Sequence, residues 1–292
     1  MFHKEGTILL LKNADMIPNK NKSAAALYLS FLFSLGAAFV RCIQLLMYTN
    51  PDTGIVIDGA ENTVALFYIF TALSAVLLGA FVFASKSSFE CPIQIKDSKG
   101  LSLCSCLAAA GMFYDFVHQC VRCYLYVSAN SYIAVNRLLP MIFSAVFALL
   151  SAVFFIFTAL SVKSTRYDFS RLWFFKITPV LWSLVNLLIL LTDYDDDILA
   201  VDTLLKYSAF VLALVFFVLF ALTAESEKAN GSLTVFFGFL YSGISFSLSF
   251  GRMVCFIIGQ DIVSADFSSP AFMFTGLFAF AFSFGICLRK RV

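Results

Sequence analysis

The strongest constraint on this chain is the recurrence of long apolar stretches. Eight runs, at 24–48, 63–84, 101–126, 139–161, 172–191, 204–224, 233–259 and 271–288, have the length and composition of membrane spans. A helix needs about 20 apolar residues to cross the hydrocarbon core of a bilayer. Backbone groups in lipid must find their hydrogen bonds within the segment, so each run is predicted to be an α-helix. Barrel strands would read as short alternating segments, which these are not. The expected fold class is therefore all-α: a polytopic integral membrane protein built as a bundle of eight transmembrane helices. Composition agrees. Hydrophobic residues make up 61% of the 292 residues and charged residues 13%, more apolar surface than a water-soluble core of this size hides.

Charge in the connections sets the threading. Lys and Arg are frequent in the N-terminal tail, in the 85–100 and 162–171 connections and in the terminal "RKRV", while "ESEKANGS" at 225–232 has a single Lys. The alternate connections are acidic: "TNPDTGIVIDGAEN", "TDYDDDILAVDT" and "QDIVSADFSSP" together hold ten Asp or Glu and no Lys or Arg. The remaining connection on that side contributes only Arg137. Positive charge collects on the cytoplasmic side of membrane proteins, so both termini are expected in the cytoplasm. An odd number of spans would put the two basic termini on opposite sides. The N-terminal tail carries four lysines and only a five-residue apolar patch at 7–11, too short for the apolar region of a signal peptide.

The expected organisation is a cytoplasmic tail over 1–23, one membrane domain over 24–288 and a basic tail over 289–292. The connections leave no room for a soluble catalytic, nucleotide-binding or DNA-binding module. The lipid bilayer is the expected partner and nucleic acid is not. Compact loops, with no glycosylation acceptors on the acidic side, point to a bacterial plasma membrane. Pro140 suits a first helical turn, whereas Pro179 is expected to kink the fifth span.

Polar side chains fall in stripes. In the third span Gly111, Asp115, His118, Arg122 and Tyr126 follow helical spacing and share one face. Asp115 is the one acidic residue well inside a span, where an uncompensated charge costs about 3 kcal/mol or more and ordinarily faces the bundle interior. The seventh span carries Ser242, Ser245, Ser249 and Arg252 on one face, with glycines that permit close helix contact. The first span adds Arg41, Gln44 and Ser34, and the fifth adds Asn186. The first, third and seventh spans also each place an Arg one to three residues before a Cys, a local likeness consistent with internal repetition.

One reading gathers Arg41, Asp115, His118, Arg122, Ser245, Ser249 and Arg252 around an outward-facing polar cavity for a small anionic or zwitterionic solute. Arginine offers such a solute a planar fork of donors, and a titratable Asp–His pair suits a coupling proton. The protein would then be a small transporter or permease subunit. A structural alternative has the arginines pairing with acids of the outer connections, while tyrosines form an interfacial belt. A second functional class is a non-catalytic membrane sensor or accessory subunit that works through a membrane protein partner or a homo-oligomer. A third is a membrane thiol-redox enzyme using Cys120 and Cys123. That reading lacks a second cysteine pair in any acidic connection to relay electrons, and Cys is a common small apolar filler in helices. The chain has two histidines and no H-E-x-x-H or G-x-S-x-G motif, so no metal ion, cofactor or hydrolase centre is expected.

Overall fold

The computed structural model describes residues 16–49, 57, 59–84, 98–129, 134–163, 173–192, 201–225, 231–259 and 269–289. Most of the basic and acidic connections that fix the expected orientation lie outside the described residues. So do residues 1–15, Cys91 and the last three residues. The described chain forms α1 (Met16–Met47), α2 (Glu61–Ala84), α3 (Lys99–Ala129), α4 (Val135–Lys163), α5 (Trp173–Lys176), α6 (Thr178–Thr192), α7 (Val201–Glu225), α8 (Gly231–Ile258) and α9 (Ser269–Arg289). Eight of the resulting segments are long and apolar enough to cross a membrane, with α5 and α6 sharing the fifth.

The helix ends differ from the apolar runs in informative ways. The first helix starts at Met16, inside the basic tail, because helical hydrogen bonding continues past the apolar segment. The sixth span starts at Val201, which draws Asp202 out of the acidic connection and into the first turn of α7. A carboxylate there meets the positive end of the helix dipole. Pro140 lies inside α4 rather than in its first turn. The expected kink at Pro179 is instead a break before it: the chain turns at Ile177, and Pro179 sits in the first turn of α6. Proline is tolerated there because its missing N–H has no intrahelical partner to lose.

Sequential helices pair as hairpins: α1 with α2, α3 with α4, α6 with α7, and α8 with α9. Further contacts of α9 with α3, α4 with α6, and α7 with α8 join six helices in the cyclic order α3, α4, α6, α7, α8, α9. The α1–α2 hairpin packs outside this ring, against α8. The interior of the ring is filled with aromatic side chains. Phe155 of α4 meets Phe278 of α9 with ring centroids 5.0 Å apart, Phe220 of α7 meets Phe282 at 4.7 Å, and Phe210 meets Phe272 at 4.7 Å, all edge-to-face. Such pairs contribute about 0.5–1.5 kcal/mol beyond burial. Large apolar side chains cover the outside, among them Leu32, Phe39, Val76 and Phe83, as lipid requires.

Small residues set the helix approaches. A Cβ at Gly111 would lie 2.9 Å from the Pro270 carbonyl oxygen and 3.1 Å from the Ala271 Cα, both backbone atoms of α9. The hairpin is held by hydroxyls: Ser34 Oγ lies 2.7 Å from Ser74 Oγ, and Ser74 Oγ donates to the Ser30 carbonyl at 3.0 Å. Gly111→Ala is therefore expected to destabilise the protein by about 1–3 kcal/mol through overpacking against backbone that has no room to move. Gly100→Ala, where nothing lies within 4 Å, is expected to leave stability within about 0.5 kcal/mol. Thermal unfolding of the two variants in the same detergent checks the contrast.

Candidate functional site

Two polar centres emerge, and the fold keeps them apart. The first lies where α1 ends, α7 begins and α8 ends. Arg41 of α1 is 1% exposed. Its Nη2 donates to Asp202 Oδ1 at 3.0 Å, and its Nη1 donates to Gln44 Oε1, one turn along the same helix. Arg252 of α8 donates to the other Asp202 oxygen, Oδ2. Lys206, one turn along α7, places Nζ 3.5 Å from that same oxygen. One carboxylate thus ties three helices together through three cations. Removing one partner of such a buried pair typically costs about 3–5 kcal/mol, because the other charge is left uncompensated.

Within this centre the buried donors Arg41 Nε and Gln44 Nε2 have no acceptor among the described residues. Gln44 is 0% exposed. Its backbone carbonyl is taken by Tyr48 N–H and by Thr49 Oγ1, each at 3.0 Å, which fixes the last turn of α1 beneath the cluster. Enclosed polar groups are nearly always hydrogen-bonded, so these two donors mark a place suited to an additional acceptor.

The second centre lies inside the ring. Asp115 of α3 is 1% exposed and accepts a 2.7 Å hydrogen bond from Trp182 Nε1 of α6. Trp182 packs on Phe210 and Phe272. Its carbonyl accepts from Asn186 Nδ2 at 2.9 Å, and Asn186 Oδ1 accepts from Ser144 Oγ of α4 at 3.0 Å. This thread links α3, α6 and α4 across the ring.

The sequence-derived set divides between these centres and neither. Arg41 and Arg252 come together on Asp202. Asp115 belongs to the second centre. His118 is half-buried and stacks on Tyr114 of its own helix, with centroids 6.3 Å apart, and Arg122 is half-buried one turn beyond. Ser245 is buried against Gly276 of α9, and Ser249 is buried one turn further along α8. Of the first, third and seventh spans, the first and seventh meet as α1 and α8, while α9 lies between α3 and α8. Cys120 is exposed and Cys123 half-buried, and both are free thiols. Among the described residues no three His, Cys, Asp or Glu side chains gather closely enough to hold a metal ion.

Asp202, Lys206, Trp182 and Ser144 belong to these centres and are not singled out by the sequence reading. Asp202 was assigned to a connection, although Asp202 and Lys206 are spaced i, i+4 at the start of an apolar run, a helix-opening signal. Trp182 is one of two tryptophans in the chain. A tryptophan at mid-span, away from the interfaces that favour it, signals that its N–H has a buried acceptor.

Eight apolar helices, lipid-type outer surfaces and a side-chain-filled interior define an integral multi-pass membrane protein. No protein-family model matches the chain, and neither a curated protein nor a solved structure matches it.

Trp182→Phe keeps an aromatic ring but removes the donor to Asp115, and is expected to cost at least about 1.5–3 kcal/mol, with a cavity contribution added. Adding Asp115→Leu should cost less in this background than in the unaltered protein, because the indole-to-carboxylate bond is already absent. Strict additivity in the double-mutant cycle would show that the two side chains do not interact energetically.

Proposed function

We propose that this protein is a small transporter or permease subunit that binds a small anionic or zwitterionic solute at the Arg41–Asp202–Arg252 centre. The observation that carries this reading is the pair of enclosed donors, Arg41 Nε and Gln44 Nε2, beside two arginines that converge from different helices. Guanidinium groups held in this way favour carboxylate and phosphate oxygens over neutral groups. In this reading both termini lie in the cytoplasm, which the charge pattern of the connections favours, and the centre lies near the outer face of a bacterial plasma membrane. In this reading Asp115, Trp182, Asn186 and Ser144 hold the ring in shape, and the binding role sits on Arg41, Gln44 and Arg252, with Lys206 and Asp202 as charge partners.

A second reading has a specific observation behind it. The ring is closed by aromatic side chains from α4, α6, α7, α8 and α9, which favours a packed sensor or accessory subunit that binds solute without passing it. Purified protein in nanodiscs, titrated with a panel of small carboxylates, phosphates and amino acids, separates these possibilities. Arg41→Gln is expected to weaken binding at least tenfold, while Arg137→Gln, an exposed cation at the start of α4, leaves it unchanged. Flux of a bound solute into liposomes containing only this protein identifies a transporter. Binding without flux identifies a sensor or accessory subunit. No binding by any member of the panel rejects both forms of the solute reading.

A further inference from the structure

Resting on the solute-site reading above, we propose that the group recognised is a carboxylate and that Asp202 is its internal stand-in. In the empty protein a tethered carboxylate occupies the two arginines, and the solute's carboxylate displaces it.

The geometry of Asp202 is that of a ligand. Its two oxygens are divided between two arginines from two other helices, Oδ1 taking Arg41 Nη2 at 3.0 Å and Oδ2 taking Arg252 Nη2. Arg41, however, meets it through a single nitrogen, while its Nη1 turns to Gln44 and its Nε has no acceptor among the described residues. Guanidinium binds carboxylate best through two parallel N–H donors. A free carboxylate, untethered to α7, is able to approach Arg41 squarely and to engage Nε and the neighbouring Gln44 Nε2 as well. Asp202, bridging to Arg252, meets Arg41 only at Nη2 and leaves both of these donors without an acceptor among the described residues.

The position of Asp202 also makes exchange feasible. It is the second residue of α7, in a terminal turn, where local opening is least costly. The backbone N–H groups of a first helical turn and the helix dipole favour an anion placed there. Once displaced, Asp202 keeps a partner in Lys206, four residues along the same helix. Replacing one carboxylate by another leaves the charge around the buried Arg41 unchanged, so no cation is stranded during the exchange. A zwitterion fits less well, since its ammonium group would enter a space already shared by Arg41, Arg252 and Lys206. The centre therefore selects a carboxylate anion without an adjacent positive charge.

The test uses the full chain in nanodiscs with formate, acetate, inorganic phosphate and glycine as probes. Asp202→Ala is expected to lower the thermal midpoint in chloride buffer. Formate or acetate at millimolar concentration should restore that midpoint, and the variant should bind acetate at least tenfold more tightly than the unaltered protein. Adding Arg41→Gln should abolish the rescue. Should Asp202→Ala fail to fold in chloride, refolding in formate supports the proposal, and failure in every buffer by both it and Asp202→Asn overturns it. Acetate binding by Asp202→Asn that is no tighter than that of the unaltered protein overturns it as well. Preference of the unaltered protein for phosphate over acetate overturns the carboxylate assignment alone, and preference for glycine over acetate overturns the exclusion of a zwitterion. Absence of any response to all four probes, in the unaltered protein and the variants alike, rejects the underlying solute site rather than the role of Asp202.

Discussion

Two helices already in lipid expel no water when they meet, so nothing draws them together except close fit and polar contact. Every feature of this bundle follows from that constraint. The glycine at 111 lets α3 reach the backbone of α9. The serines of α1 and α2 exchange hydroxyl hydrogen bonds where leucines would only slide. Phenylalanine, with 36 copies, supplies large rigid faces and edges that interlock inside the ring. Its abundance serves packing density more than apolarity, since leucine would satisfy lipid equally well.

The architecture was legible in the sequence to the extent that backbone chemistry dictates it. Eight apolar runs become eight spans because lipid offers the peptide group no alternative partner. What composition cannot specify is the order in which helices touch. A polar stripe shows which face of a helix is special, yet the face may look toward any neighbour. Asp115 illustrates this: its stripe suggested arginines on the first and seventh spans, while the fold supplies an indole from the fifth. Asp202 illustrates a different limit. A hydropathy boundary ends at the last apolar residue, whereas a helix extends to wherever its first turn is best capped. Three residues of difference moved the decisive carboxylate from a connection into an interface.

The two centres use opposite strategies for polarity in lipid. Asp115 accepts from an indole, which is linked in turn to an amide and a hydroxyl, in a thread that crosses the ring. Such a network favours one arrangement of α3, α4 and α6, because each member has few alternative partners. The arginine centre is electrostatic and lies at the end of the bundle. It joins the peripheral hairpin to the ring through charges, whose partners are interchangeable in a way that a shaped hydrogen-bond thread is not. A shaped thread favours rigidity and a charged cluster favours exchange, which is the ground for proposing the binding role at the arginines.

The separation of Arg41 from Asp202 along the chain has a consequence for how the protein is made. The two residues are 161 positions apart. At about 5–20 residues per second of synthesis, the first span exists for roughly 8–30 seconds before its counter-charge has been translated. During that interval a buried-type arginine must be tolerated by the insertion machinery or kept at the headgroup level, at a cost of about 2.5–3.5 kcal/mol if it sits at depth. Docking of the α1–α2 hairpin onto α8 is thereby deferred until the sixth and seventh spans arrive, so the ion pair acts as a clasp that closes late in assembly.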